Sequence, residues 1–398
     1  MLTAVAGLVA GADSSRAVQP PDMLAFKLGP VLIRPRVQVS EQYDSNIYYR
    51  DRDVVDDLIT RVSPGVNFYV GRPEENHISL TYTLDSPFYA KNDQLDNLNH
   101  TFTLEPRWHG ARLDVHGTDS FQVLNSVLGG IYLVAANQSL ERNVTANDYT
   151  VQYRISPKTL VYARGAYNAT DWASGTYLQD YNTLTGTGGF GFQALPKVVF
   201  FGEGYYGQTA TNPNRPSNTN DVFSMKGPHM TFTGAYLGAR GDFTPKLTGE
   251  VKVGYEFREF SNGAEVPGGL VAGVSLTHRL NERTTTRLSY LRQSVVSVEY
   301  NAQTYDLDAI NLQFSRAFGA AGKWTANATG SVGSYTYSGN VFANRQDFLY
   351  TWGLGLSYAI QEWMKAGFAY DFTKFESNYP GAVDYDVHRV MLQLTVGY

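Results

Sequence analysis

The chain contains no cysteine in 398 residues, which removes disulfide frameworks, thiolate catalysis, Cys-ligated zinc and iron–sulfur clusters together. A thiol-free chain also suits an oxidising compartment, where stray thiols mispair. Charge is scarce: Asp, Glu, Lys and Arg make up 17% of the residues, against roughly 25% in ordinary soluble domains. The formal net charge of -5 offers no basic face for nucleic acid. Although 43% of the residues are apolar, no run reaches the roughly 18 apolar residues that a membrane helix requires. These absences exclude a helical span and leave open one built from strands.

Glycine (38), tyrosine (28) and phenylalanine (21) are abundant instead. Aromatic side chains pack on pleated surfaces and glycine lowers helix propensity, so the expected class is all-β. Short polar connections recur at a spacing of roughly 40 residues. They are Arg72-Pro73-Glu74-Glu75-Asn76, His109-Gly110, Ser156-Pro157-Lys158, Leu195-Pro196-Lys197, Thr244-Pro245-Lys246, Asn281-Glu282-Arg283, Gly319-Ala320-Ala321-Gly322 and Gln361-Glu362. Three carry a Pro-Lys pair, in which proline presets φ for a tight turn and the lysine keeps the tip in water. Longer polar segments lie between them, at 49–57, 91–98, 211–229, 262–268 and 377–383. Short turns at one rim and longer loops at the other are the pattern of an antiparallel transmembrane β-barrel, with periplasmic turns and extracellular loops. The segments number about eighteen strands, with sixteen as the alternative, both even as bacterial barrels require.

A barrel wall in lipid alternates apolar outside with polar or small inside. Between Phe348 and Tyr358 one face reads Phe348, Tyr350, Trp352, Leu354, Leu356, Tyr358, and the other Leu349, Thr351, Gly353, Gly355, Ser357. From Leu247 to Phe257 the outer set is Leu247, Val251, Val253, Tyr255 and Phe257, and the inner set Thr248, Glu250, Lys252, Gly254 and Glu256. Segments 78–84 and 390–398 alternate in the same way. Such segments run to about 12 or 13 residues, enough to cross a bilayer at a tilt. Segments 159–168 and 198–207 carry apolar residues on both faces, so periodicity leaves their orientation open. A β-propeller also repeats at about 40 residues, but its blades need four short strands per repeat, where this chain has room for two long ones.

At the N-terminus, residues 1–12 end in Ala10-Gly11-Ala12 and read as the remnant of a secretory signal peptide without its basic start. Residues 13–32 read as a periplasmic segment and 33–398 as the barrel. The last segment, from Val387, alternates and ends on Tyr398, an aromatic terminus of the kind that outer-membrane assembly machinery reads.

Three elements of the N-terminal third are specific: Tyr43-Asp44-Ser45-Asn46-Ile47, Ser63-Pro64-Gly65 and Asp96-Asn97-Leu98-Asn99-His100. With the surrounding residues, roughly 33 to 105, they resemble the family known as putative beta-barrel porin 2. The resemblance implies an outer-membrane barrel that, in some relatives, accompanies exopolysaccharide production. It implies no substrate and no catalytic residue.

Local motifs add no chemistry. Gly186-Thr187-Gly188-Gly189-Phe190-Gly191 fits a dinucleotide fingerprint in letters, but it leads into another strand rather than a helix. In Gly319–Trp324 the spacing is too short for a phosphate loop, and Trp324 stands where Ser or Thr binds magnesium. The histidines (77, 100, 109, 116, 229, 278 and 388) are scattered without a metalloprotease spacing. The acids Asp44, Asp51, Asp53, Asp56 and Asp57 read as a solvated loop, bridged to lipopolysaccharide by divalent ions, more readily than as a calcium loop, which needs a glycine turn. No enzyme activity, cofactor or resident metal is expected.

The inward charges Glu250, Lys252, Glu256, Arg258, Arg287, Lys365 and Asp371 are the pore-lining candidates. Their mixed sign suits neutral or weakly charged solutes such as sugars, and the competing reading has them merely satisfy one another. Residues 125–145 form a long link with an apolar middle, which either folds into the lumen as a constriction or adds a hairpin. The leading expectation is a passive porin or export channel in the outer membrane of a Gram-negative bacterium. Its expected partners are lipid, lipopolysaccharide, the barrel-assembly machinery and polysaccharide-export components. The alternative is a docking barrel of a polysaccharide secretion system with a closed lumen, and a third, weaker one is an enzyme barrel.

Overall fold

The structure is a computed structural model that describes residues 24–72, 75–130, 132, 139–213, 227–264, 266–299, 303–338 and 344–397. The expected signal remnant and the terminal Tyr398 lie outside these residues, as does most of 211–229. The strands in chain order are β1 (Phe26–Leu28), β2 (Val31–Asp44), β3 (Asp57–Gly71), β4 (His77–Tyr89), β5 (Asn99–His109), β6 (Leu113–Val127), β7 (Ser139–Ser156), β8 (Thr159–Trp172), β9 (Gln179–Leu195), β10 (Val198–Pro213), β11 (Met230–Thr244), β12 (Leu247–Phe260), β13 (Gly269–Asn281), β14 (Thr284–Val296), β15 (Thr304–Phe318), β16 (Trp324–Ser338), β17 (Gln346–Gln361), β18 (Met364–Ser377) and β19 (Tyr385–Gly397). From β2 onward each strand pairs antiparallel with the next. The ring closes where β19 meets β2, from Gly397↔Arg36 to Arg389↔Asp44. The result is a closed antiparallel barrel of 18 strands, β2 to β19. Closure gives every strand of the ring a neighbour on both sides, so it has no free edge strand of the kind that a sheet in hydrocarbon cannot tolerate. The short β1 hairpins back onto β2, from Phe26↔Ile33 to Leu28↔Val31, beyond the end of β19.

Each of the eight short connections read from the sequence joins the two strands of one hairpin at the same rim. The nine longer connections lie at the opposite rim. No additional hairpin forms among the described residues of 125–145, so the count of eighteen stands over its alternatives.

Register and exposure agree on which way the side chains point. On β17, Trp352, Leu354 and Leu356 are exposed on the outside, opposite inward Thr351, Gly353 and Gly355. On β12, Val251, Val253, Tyr255 and Phe257 face out, and Glu250, Lys252, Glu256 and Arg258 face in. The register also orients the two ambiguous segments. Ala163, Gly165 and Tyr167 of β8 face out and Tyr162 and Arg164 face in; on β10, Phe200 and Tyr206 face out and Phe201, Glu203 and Tyr205 face in. On the outer face near mid-height, Asp119 accepts from the Asn147 amide and the Tyr149 hydroxyl.

The wall has a seam. The ladder between β13 and β14 ends at Ala272↔Arg292, while β14 stays paired with β15 as far as Val296↔Thr304. There the Arg292 Nε donates to the Leu270 carbonyl at 3.2 Å, and a buried cluster of Met230, Phe260 and Val296 packs alongside.

Candidate functional site

The inner wall from β7 to β12 alternates aromatic rings with paired charges. Lys252 binds Glu203 at 2.9 Å and lies 3.9 Å from Glu250. The Tyr162 hydroxyl donates to the other Glu203 oxygen at 2.7 Å. Further up the wall the Tyr205 hydroxyl donates to Glu256 at 2.9 Å, and Arg258 holds the same carboxylate at 2.7 Å. Arg240 lies over the rings of Tyr162 and Phe201 at 4.9 and 5.4 Å, and the Lys252 ammonium over Tyr236 at 4.4 Å. Each of these three cations is therefore matched by a carboxylate or a ring face. This surface offers hydrogen-bonding edges and flat apolar faces with little net field.

Among the sequence-predicted residues, Glu250, Lys252, Glu256 and Arg258 come together in this network. Arg287 faces inward from β14, opposite Thr277. Lys365 and Asp371 face inward from β18, where Asp371 stands opposite Gly353 on one side and Arg389 on the other. Lys365 and Asp371 lie several strands around the ring from the β12 group. The sequence reading missed Tyr162, Glu203, Tyr205, Tyr236 and Arg240, which complete the wall. At the short-turn rim, Asp114 is held between His109 and His116, at 2.7 and 2.9 Å from their Nδ1 atoms.

The long-loop mouth is narrowed from inside. The β6–β7 connection turns into the lumen after Val127. Leu128 buries itself against Trp172 and Leu178, and the Tyr132 ring meets Trp172 edge-on at 5.6 Å. Gly130 adopts φ +69 and approaches Tyr385 and Phe375 so closely that a β-carbon there would lie 3.2 Å from the Tyr385 hydroxyl. Of the two readings of 125–145, the inward constriction is the one observed among the described residues.

A second inward segment is the β14–β15 connection. Its Val298 carbonyl accepts from the Gln179 amide at 2.8 Å, a bond that links this loop to the start of β9, several strands away around the ring. Its Glu299 is held by Arg345 at 3.5 Å, and Arg345 in turn grips Asp347 at 2.6 Å. All three side chains are nearly or fully buried, at 3%, 0% and 0% exposure. The Arg345 guanidinium also lies 4.1 Å from the centre of the Tyr337 ring. Burial opposes its charge, but the hydrogen-bonded Asp347 carboxylate more than offsets this and raises the arginine above its ordinary value. Tyr305, Leu307, Tyr335, Tyr337, Phe375 and Tyr385 form the buried apolar lining beneath these segments.

The β2–β3 connection completes the mouth. Tyr49, at φ 54, tilts onto Tyr385 at 5.1 Å and accepts from Arg389 at 3.1 Å. The acids of this region divide among separate partners. Asp44 pairs with Arg389 at 2.7 Å, Asp56 with Lys91 at 3.2 Å, and Asp57 accepts from the backbone amides of Lys91 and Asn92.

A family model described as "Putative beta-barrel porin 2" matches residues 19–398. No curated protein matches the sequence. Among solved structures, the outer membrane protein OpdK from Pseudomonas aeruginosa is 10% identical with a TM-score of 0.47, over 92% of this chain and 99% of that one. OpdO of the same organism is 12% identical with a TM-score of 0.47, over 92% and 97%. OccAB3 from Acinetobacter baumannii is 10% identical with a TM-score of 0.44, over 92% and 99%.

Proposed function

This chain belongs to the putative beta-barrel porin 2 family, and from that premise we propose a passive, non-enzymatic channel in the outer membrane of a Gram-negative bacterium. Its short turns lie in the periplasm and its long loops outside. The proposed cargo is small polar solutes, saccharides among them. The observation that carries this reading is the inner wall of β7 to β12, where Glu203, Lys252, Glu256 and Arg258 neutralise one another between the rings of Tyr162, Tyr205 and Tyr236. A wall of matched charge repels neither sign strongly, and its ring faces suit the apolar faces of sugars. Eighteen strands leave room for an aqueous lumen. Lipopolysaccharide at the outer surface and the barrel-assembly machinery are the partners this location brings.

Planar-bilayer recording tests the reading. Purified protein is expected to insert and conduct with weak ion selectivity; insertion without conductance under any voltage or loop variant refutes it. The bond from Gln179 to Val298 and the buried Arg345 group favour a second reading, a docking barrel of a polysaccharide secretion system with a closed mouth. Export of exopolysaccharide would then depend on the barrel without passing through it. Conductance that appears only after the Arg345 group is broken would favour that second reading in its gated form.

A further inference from the structure

A cavity of about 260 Å³ lies under the inward β6–β7 connection. Tyr49, Tyr132, Trp172, Tyr181 and Phe375 are among the rings that line it, and Arg142 and Arg389 line it as well. The two cations differ in their partners. Arg389 is neutralised by Asp44 at 2.7 Å. Arg142 donates Nη1 to the Ser126 hydroxyl at 3.0 Å and stacks over Trp172 at 5.5 Å, and it meets no carboxylate among the described residues. A guanidinium offers five N–H donors in a planar fork, and leaving most of them unmatched in a ring-lined cavity is costly. The nearby acids are committed elsewhere, Asp44 to Arg389 and Glu299 with Asp347 to Arg345.

We propose that this cavity binds a small ring-bearing carboxylate, with the carboxylate on the free edge of Arg142 and the ring between the aromatic walls. The planar fork matches a carboxylate two-pronged, and the rings match a flat or C–H-rich ring face rather than a bare inorganic anion. Since a cavity of about 150 Å³ accommodates benzene, this one admits a single six-membered ring with its acid group. Burial, followed by the neighbouring Tyr181, pushes the Tyr132 phenol above its ordinary value, so it meets an incoming anion as a neutral donor. The proposal gives the channel reading a solute class at its narrowed mouth, and rests on that reading only for the ligand's route of entry.

Calorimetric titration of the full-length protein in detergent micelles tests it. Benzoate and glucuronate serve as probes, beside their neutral counterparts benzyl alcohol and glucose. At least one acid is expected to bind, about tenfold or more tighter than its neutral counterpart, with the loss of affinity in Arg142→Gln of similar size. Which acid binds tells an aryl from a saccharide ring. If Arg142→Gln does not fold, Trp172→Leu keeps the cation, removes the stacking wall and is expected to weaken binding comparably. Failure of the folded wild type to bind either acid, or affinity unchanged in the folded variants, overturns the proposal. Because binding is read at equilibrium, a barrel that binds but never conducts refutes the channel and leaves the site.

Discussion

Replacing Arg345 by Gln removes the cation that holds Glu299 and Asp347 beneath the mouth. The two carboxylates are 3% and 0% exposed, so solvent screens neither of them. Breaking a buried ion pair by deleting one partner costs about 3–5 kcal/mol, because the orphaned charge remains in a poor dielectric. The cost falls on the closed arrangement alone. Once the β14–β15 connection swings away, Glu299 leaves with it into water and Asp347 is uncovered on the wall. At about 1.4 kcal/mol per factor of ten, the balance between closed and open mouths shifts on the order of a hundredfold or more toward open. Single-channel recording of the full-length barrel reads this as longer open dwells. Arg345→Lys, which keeps the charge but loses the two-pronged grip on Asp347, is expected to fall between. An Arg345→Gln barrel that shows the heat-modifiable mobility of a folded one, yet keeps wild-type dwell times, would refute the idea that this group closes the mouth.

Three further outcomes follow from the same geometry. Val253→Arg places a charge on the outer face near the middle of β12 and is expected to cost about 2–4 kcal/mol in urea unfolding from lipid bilayers. Ser275→Arg, inward and opposite Glu250, is expected to cost far less, and equal costs would contradict the assigned faces. Glu203→Gln leaves Lys252 with only Glu250, at 3.9 Å, so the reversal potential in a salt gradient is expected to move toward anion selectivity; an unmoved potential would mean that the ions do not pass this wall. Arg389→Ala strands Asp44, whose side chain is 5% exposed, beside the ladder that closes the ring, and about 3 kcal/mol of stability is expected to go. Asp44→Asn added to Arg389→Ala should restore much of it, and strict additivity in the double-mutant cycle would count against the pair.

Hairpin connectivity was legible because turn chemistry is local: Pro-Lys tips and Asn-rich loops announce themselves within four or five residues. The inner face of β12 was legible for a similar reason, since Glu250, Lys252, Glu256 and Arg258 alternate with outward apolar residues within one strand. On β8 and β10 the rule failed for a physical reason. Tyr162, Phe201 and Tyr205 point inward because the lumen supplies Arg240, Glu203 and Glu256 to meet them. An aromatic ring is at home on either side of such a wall, so periodicity cannot orient it. The apolar middle of residues 125–145 signalled either an inward loop or a further hairpin, and its described residues turn inward. The β14–β15 connection gave no such signal, because the residues that hold Val298 and Glu299, Gln179 and Arg345, lie far from it in sequence and meet it only when the ring is closed.

The motif that carried the family resemblance has a mechanical reading. In Tyr43-Asp44-Ser45-Asn46-Ile47, Asp44 takes Arg389 across the closing ladder. Asn46 donates to the Asp386 carbonyl at 3.1 Å, tying the first long loop to the last strand. Ile47 buries itself with Ile59 and Leu95 under the neighbouring loops. In Ser63-Pro64-Gly65, Pro64 has no N–H to give, and the ladder from β3 to β4 skips from Val62↔Ser86 to Gly65↔Thr83 at this point. A β-carbon on Gly65 would sit 3.1 Å from the Tyr82 carbonyl, so a larger residue after the break would have to push the β4 backbone aside by a few tenths of an ångström. In the third element, His100 ends on the Tyr82 hydroxyl at 3.0 Å, bracing β4 against β5. Closing a ring of strands demands that the first hairpins bend correctly and find the last strand, and two of the residues that make the N-terminal third recognisable, Asp44 and Asn46, sit at that junction. They mark how the barrel is closed. The residues proposed to line its passage lie on other strands and at other spacings, which is why the family motif is silent about solute.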